Sequence, residues 1–368
     1  MSSPDSFPDK IRLIVLFGGQ SAEHDVSRAT AAHVLNALDP DRYEVSAIGI
    51  SRDGQWVNAD AAAHAALRVL RTPALAGGPA IATGVDVIGA PTAPQPVLTL
   101  HPHLPTVVLP LLHGPMGEDG TMQGLLELAD VAYVGAGVLG SAVAMDKALA
   151  KVVLAAHGIG QAKWVELHDH ERTAQTPSRL VEELGLPMFV KPANMGSSVG
   201  VAKAKTTAEV AIALDLAFGY DRVVVCEEAI VGREIEVGVL GNEHPRASLP
   251  GEVLPGSDFY SYEDKYLEDK ARYFIPADLN PDEIAELQAL AIRVFRVLRL
   301  SGLARVDFFY EPDGRGFLCN EANTMPGFTP ISMYPKLWQA SGVSYTELID
   351  ELVALALSRH ATRRRATT

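Results

Sequence analysis

The N-terminal third of the chain alternates short apolar runs with helix-period stretches. Ile11-Arg-Leu-Ile-Val-Leu-Phe17 is almost continuously apolar, the pattern of a strand buried on both faces. It runs into Gly18-Gly19-Gln-Ser-Ala-Glu23-His24-Asp25, and a helix then begins near Val26 and ends around Leu38-Asp39-Pro40. Strand, glycine turn, helix is the opening of a parallel α/β sheet, whose ligands gather where strands end and helices begin. Tyr43 to Ile50 reads as the next strand, followed by a turn at Asp53-Gly54 into Gln55-Trp56-Val57. From about 71 to 105 the chain is rich in Ala, Pro and Gly and reads as surface connection and short edge strands. Thr106 to Leu112 is strand, Thr121 to Leu128 helix, and Val131 to Val134 strand again.

Gly135-Ala-Gly137-Val-Leu-Gly140 matches the dinucleotide fingerprint formally, but no acidic residue ends the next strand about 20 residues on. It reads as a tight strand-to-helix turn, and a nicotinamide oxidoreductase is set aside. One helix carries Asp146-Lys147 and continues to about His157. Strand and helix signals resume at Trp164, and Pro187-Met-Phe-Val190-Lys191-Pro192 is a strand that ends on a lysine. Asn194-Met-Gly196-Ser197-Ser198-Val199-Gly200 joins it to strand Val201-Ala-Lys-Ala. Such a loop can be a plain hairpin, or it can fold its amides over phosphate oxygens. It is no P-loop, because G-x-x-x-x-G-K-[ST] occurs nowhere. Helix Thr207 to Phe218, strand Arg222 to Glu227 and strand Arg233 to Leu240 follow.

A long polar and aromatic stretch lies between Pro250 and Pro276, the length of a lid or binding loop. Asn280-Pro281-Asp-Glu283 then caps a helix to about Leu300, with Ile284, Leu287, Ala291, Phe295 and Leu298 on one stripe. Ser344-Tyr-Thr-Glu347 repeats the capping box before a final helix to about Ser358, and Arg363-Arg364-Arg365 reads as a solvated tail.

Composition narrows the class. A chain of 368 residues exceeds one compact core and implies two or three domains. A net charge of −14 leaves no broad basic face for nucleic acid. No apolar run approaches bilayer-spanning length, and the N-terminus lacks signal-peptide regions, so a cytoplasmic protein is expected. Cys226 and Cys319 sit in apolar runs and read as buried, reduced thiols.

The candidate chemistry centres on one hairpin, Arg305-Val-Asp307-Phe-Phe, a Pro312-Asp313-Gly314 turn, and Phe317-Leu-Cys-Asn-Glu321-Ala-Asn323. A turn centred near Gly314 sets Asp307 opposite Glu321 and Arg305 opposite Asn323, all on one face. Opposed carboxylates repel unless neutralised. Arg and Lys partners on a solvated face would serve; so would a hard cation, since carboxylate and amide oxygens are what Mg²⁺ accepts. Two separated lysines, Lys147 and Lys191, a Gly-Ser flap and a lid add up to nucleotide chemistry without a P-loop.

Gly18-Gly-x-Ser-Ala-Glu23-His, His113-Gly-x-x-Gly-Glu118-Asp-Gly, Met145-Asp-Lys147, Val190-Lys191-Pro, Gly196-Ser-Ser-Val-Gly200, Lys265-Tyr266, Arg305-Val-Asp307 and Glu321-Ala-Asn323-Thr-x-Pro-Gly327 occur in this order. The series resembles the D-alanine–D-alanine ligase family of the ATP-grasp superfamily. That resemblance implies an α/β fold, α+β in its C-terminal part. An N-terminal parallel-sheet, Rossmann-like domain (1–140) would precede a small central ATP-grasp domain (141–236). A catalytic ATP-grasp domain (237–368) with a lid at about 250–276 would close the chain. It implies ATP as co-substrate, two Mg²⁺ ions for which Mn²⁺ can substitute, two D-alanines, a role in peptidoglycan precursor synthesis, and a homodimer.

The resemblance also assigns residues. Asp307, Glu321 and Asn323 would hold metal. Lys147, Lys191, Ser197, Ser198, Val199, Glu227, Glu228, Ile230, Glu234, Lys265, Asn320 and Glu321 would bind ATP, Glu227 and Glu234 through adenine and ribose. Glu23 would hold the first D-Ala ammonium, Ser332 the second D-Ala, and His113 would orient substrate. Arg305 and the Gly327 amide would stabilise oxyanion charge. Ser197 and Tyr266 would form a trio with Glu23 tying the lid down. Tyr266 goes with D-Ala rather than D-lactate as second substrate; D-lactate or D-Ser is the alternative. Ala229, where many relatives carry an aromatic, and Glu228 depart from the family pattern.

Overall fold

A computed structural model describes residues 10–59, 90–98, 101, 103–254, 272–329 and 332–367. The chain opens with β1 (Ile11–Gly18), α1 (His24–Ala37), β2 (Tyr43–Ile50), β3 (Trp56–Asn58), β4 (Ala90–Thr92), α2 (Pro94–Leu98) and β5 (Thr106–Pro110). With α3 (Thr121–Leu128) and β6 (Ala132–Tyr133), these form a six-stranded sheet ordered β4-β3-β2-β1-β5-β6. β1, β2, β5 and β6 are parallel, while β3 and β4 are antiparallel. β1 is central and buried on both faces: Leu13, Val15 and Phe17 enter one core, Ile14 and Leu16 another. This double burial is why its sequence shows no alternation. Most of the expected 71–105 connection lies outside the described residues.

One expectation fails next. The single helix through Asp146 is two, α4 (Val138–Met145) and α5 (Lys147–Ala156). Asp146 leaves helical geometry (φ −80°, ψ 101°), and its side chain accepts from the Leu149 amide at 2.9 Å. A short acidic side chain satisfies an orphan amide better as an N-cap than inside a helix. Lys147 thereby becomes the first residue of α5.

A second sheet follows from β7 (Trp164–His168), α6 (Thr176–Leu184), β8 (Met188–Pro192), β9 (Ala202–Ala204), α7 (Thr207–Phe218) and β10 (Val223–Glu228). Its order is β7-β10-β8-β9, every pair antiparallel, and α6 and α7 bury Leu180, Val210 and Leu214 against it. The third sheet comprises β11 (Arg233–Gly241), β12 (Arg246–Ala247), β13 (Gly251–Leu254), β14 (Arg272–Phe274), β15 (Gly302–Glu311) and β16 (Gly316–Asn323). Its order is β14-β13-β11-β15-β16 with β12 on β11, so β11 belongs to it on both sides of position 236.

Between β14 and β15, α8 (Pro281–Val297) starts on the expected box: the Asn280 side chain accepts from the amides of Asp282 and Glu283, and the Glu283 carboxylate accepts from the Asn280 amide. It buries Leu287, Ala291 and Phe295 against the third sheet.

The chain ends with α9 (Met333–Ala340) and α10 (Tyr345–Thr367), the latter longer than its pattern suggests. Leu348, Ile349, Leu352 and Val353 pack into the core of the first sheet, so the end of the chain covers its beginning. Arg363, expected in a solvated tail, pairs instead with Glu127 and Asp130. Acids at the end of α3 reward continued helix, which the sequence pattern could not foresee. Among the described residues no helix is long and apolar enough to cross a membrane.

Candidate active site

Asp307 pairs with Glu321 and Arg305 with Asn323 across β15 and β16, as the sequence predicts, but by a different route. The turn closes with Glu311 opposite Gly316, so a regular ladder would set Asp307 against Asn320. A bulge intervenes: Phe308 faces Cys319, Asp307 faces Glu321, and Asn320 opposes nothing. The extra residue lets Asn320 and Glu321 both line the cleft between the second and third sheets.

Charge between the strands is handled by Arg305. Its Nε and Nη2 donate to the two oxygens of Asp307 at 2.8 and 2.7 Å, and the Asn323 amide donates to Asp307 Oδ2 at 3.0 Å. On the neighbouring strand, Glu236 lies 3.1 Å from the same guanidinium. Burial opposes the charge on Arg305, but Asp307 and Glu236 more than restore it, and its pKa stands well above the ordinary value. The sequence left a metal or basic partners open as the neutraliser; here a basic partner serves. Among the described residues no group of three His, Cys, Asp or Glu is gathered around a metal position. The donor set nevertheless suits a hard cation: two carboxylates and one side-chain amide line the same cleft.

Opposite the hairpin, β8 and β10 present Lys191 and Glu227. Lys191 Nζ lies 2.9 Å from Glu227 Oε2 and 3.5 Å from Asn320 Oδ1. Lys151 of α5 reaches Glu227 Oε1 at 3.2 Å from behind. Burial alone would raise the Glu227 pKa; the two lysines instead hold it down to about 2. Lys147 donates to the Met195 carbonyl at 2.5 Å, anchoring α5 to the Gly-Ser loop. In that loop Ser197 and Ser198 both have left-handed backbones, φ 48° and 60°. Each such residue costs on the order of 1–3 kcal/mol, a strain that collects at ligand sites. Glu228 accepts from the Lys163 amide at 2.6 Å and from Arg315 at 2.6 Å, bracing the hairpin turn.

Glu23 arrives from the glycine turn after β1, as the N-cap of α1. It is buried and accepts a hydrogen bond from the Ser197 hydroxyl. A Cβ on Gly196 would stand 2.6 Å from Glu23 Oε2, and one on Gly114 2.8 Å, so both glycines clear its path. His113 is buried; its Nδ1 lies 3.0 Å from the Met325 carbonyl, and burial lowers its pKa. The ring is therefore neutral with the proton on Nδ1, leaving Nε2 as an acceptor without a partner among the described residues. Glu118 accepts from the amides of Gly114 and Met325 at 2.7 and 3.1 Å, joining the loop after β5 to the loop after β16. Burial and then the charge of Glu23 raise its pKa. Ser332 Oγ accepts from the Thr329 amide at 3.0 Å and lies 2.8 Å from where a Cβ on Gly327 would be.

One cleft thus gathers Glu23, His113, Lys147, Lys191, Ser197, Ser198, Glu227, Glu228, Ile230, Glu234, Arg305, Asp307, Asn320, Glu321, Asn323, Gly327 and Ser332. Val199 is not among its lining residues, and its amide is spent on the Gly196 carbonyl at 3.0 Å. Lys265 and Tyr266 lie outside the described residues, as does most of the expected lid. Three neighbours have no role in the sequence reading: Lys151, Glu118 and Glu236. Lys151 carries the clearest missed signal, since it falls one helical turn after Lys147, on the same face.

A parallel α/β sheet followed by two antiparallel sheets that face each other across a charged cleft is the ATP-grasp fold. Family profiles described as D-ala D-ala ligase N-terminus and C-terminus match residues 12–136 and 153–354. D-alanine--D-alanine ligase A of Chromobacterium violaceum is 48% identical over 360 residues, covering 95% of this chain and 96% of the relative. Among solved structures, the D-alanine-D-alanine ligase from Coxiella burnetii superposes with a TM-score of 0.82 at 36% identity, covering 98% of this chain and 97% of its own. The VanG D-Ala:D-Ser ligase from Enterococcus faecalis superposes with a TM-score of 0.79 at 31% identity, covering 94% and 99%. The chain belongs to the D-alanine–D-alanine ligase family.

Proposed function

We propose that this protein joins two D-alanines into D-alanyl-D-alanine at the expense of ATP, supplying a peptidoglycan precursor. The observation that carries the reading is the convergence on one cleft of Glu23, from the first sheet, with Lys147, Lys191 and the Arg305–Asn323 hairpin. The carboxylate of the first D-Ala takes the γ-phosphoryl group, the amine of the second attacks the resulting acyl phosphate, and phosphate leaves.

Glu23 pairs with the first ammonium, and its contact with Ser197 keeps the Gly-Ser loop over the reacting carboxylate. Lys147 and Lys191 meet phosphate oxygens as point charges. Glu227 and Glu234 take adenine and ribose, with Ile230 against the base; Ser198 closes the flap. Arg305 and the Gly327 amide face the developing oxyanion, where a fixed donor is commonly worth about 10²–10³ in turnover. Ser332 holds the second D-Ala, and neutral His113 accepts a substrate proton donor through Nε2. Asp307, Glu321 and Asn323 hold Mg²⁺ or Mn²⁺, which supplies charge neutralisation on the phosphates when bound. Lys265 and Tyr266 come from the lid. Two buried thiols agree with a cytoplasmic enzyme, and a homodimer is expected from the family.

The test is incubation with D-Ala, ATP and Mg²⁺, reading phosphate release and product mass. Absence of dipeptide would refute the reading. Likeness to a D-Ala:D-Ser ligase motivates parallel arms with D-Ser and D-lactate; a mixed product exceeding the dipeptide would reassign the second substrate.

A further inference from the structure

Glu227 is 2% exposed and bears two lysines, yet only Lys191 borders the cleft. Lys151 is itself only 3% exposed, and it reaches Glu227 without being among the residues that line the cleft. A buried ammonium is costly unless its partner is worth the desolvation. We propose that Lys151 is a positioning residue for nucleotide binding: by neutralising Glu227 from behind, it leaves Lys191 available to phosphate.

The argument is one of charge. Lys151, Glu227 and Lys191 together carry one surplus positive charge, and that surplus sits on the lysine facing the cleft. Lys191 already divides itself between Glu227 at 2.9 Å and Asn320 at 3.5 Å, so it is not committed to one partner. Without Lys151 the remaining pair is neutral, and Glu227, buried with a single cation, holds Lys191 back from an incoming anion. α5 is built to deliver this device. Asp146 starts the helix, Lys147 fastens it to the Gly-Ser loop, and Lys151 follows one turn later against β10. Helix α5 therefore addresses the Gly-Ser loop and the buried acid Glu227 at once.

The proposal rests on the nucleotide reading above, and the experiment separates the two. ADP is titrated calorimetrically into the wild type, Lys151→Met, Glu227→Gln and the double variant, with thermal melts to establish folding. Lys151→Met is expected to weaken ADP about tenfold while leaving the KM for D-Ala unchanged. Glu227→Gln should cost less in the Lys151→Met background than alone, because removing the acid releases Lys191. Lys151→Gln, smaller and uncharged, is measured beside it in case the Met variant melts early, and the same loss is expected. Unchanged ADP affinity, or losses that simply multiply in the double variant, would overturn the role of Lys151. A wild type that binds no ADP would overturn the nucleotide reading and this proposal with it.

Discussion

Asp307 and Glu321 stand opposite each other because Asn320 is left out of the ladder between β15 and β16. In a sheet with period-two side chains, a one-residue slip turns a whole strand over. The bulge absorbs that slip within one residue, so Phe317, Leu318 and Cys319 stay in the core while Glu321 and Asn323 face the cleft. Glu321→Gln keeps the shape and removes one anionic donor. Turnover should fall by about 10²-fold or more, with an unchanged melting curve, read by phosphate release and circular dichroism.

Arg305 is the counter-charge for two acids, buried Glu236 and half-buried Asp307. Arg305→Met takes the cation from both while the Asn323 amide stays on Asp307, and breaking a buried pair costs about 3–5 kcal/mol. Urea denaturation should show a loss of that order, partly recovered in Arg305→Met/Glu236→Gln. A double variant no more stable than the single one would mean that Glu236 is not held by Arg305.

Gly196 does not have a left-handed backbone, so an alanine there clashes with the Glu23 carboxylate, 2.6 Å from its Cβ, and makes ordinary contact with the Gly114 Cα at 3.5 Å. Because that carboxylate ends a flexible side chain, the fold should tolerate Gly196→Ala while Glu23 is displaced from Ser197. The expected result is a KM for D-Ala raised about tenfold, in line with the loss of one charge-assisted contact, and an unchanged melting temperature. Steady-state kinetics against D-Ala checks it.

Glu227 titrates at about 2 in the fold against an ordinary value of 4.5, so its stabilisation is present above 4.5 and is lost as pH falls from 4.5 towards 2. Glu227→Gln removes that contribution and takes the counter-charge from buried Lys151 and from Lys191. The wild type should be the more stable at pH 7, and the gap should narrow as pH is lowered through 4.5. Urea midpoints measured from pH 7 downwards decide it; a gap that stays constant with pH would remove the charge from the explanation.

Much of this protein was written in local pattern. A continuous apolar run marked β1, the Asn280 and Ser344 capping boxes fixed the starts of two helices, and the ordered motifs named most of the residues that line the cleft. These features depend on near neighbours in the chain, which a sequence displays directly. The bulge at Asn320, the share of Arg305 taken by Glu236 on β11 and the hidden partnership of Lys151 with Glu227 belong to the tertiary structure. The two ion pairs join groups distant in sequence that must share one buried volume, where an unpaired charge costs more than any local preference can supply. The final helix is a further case: its last turns pair Arg363 with Glu127 of α3 and with Asp130 just beyond it, more than two hundred residues earlier in the chain.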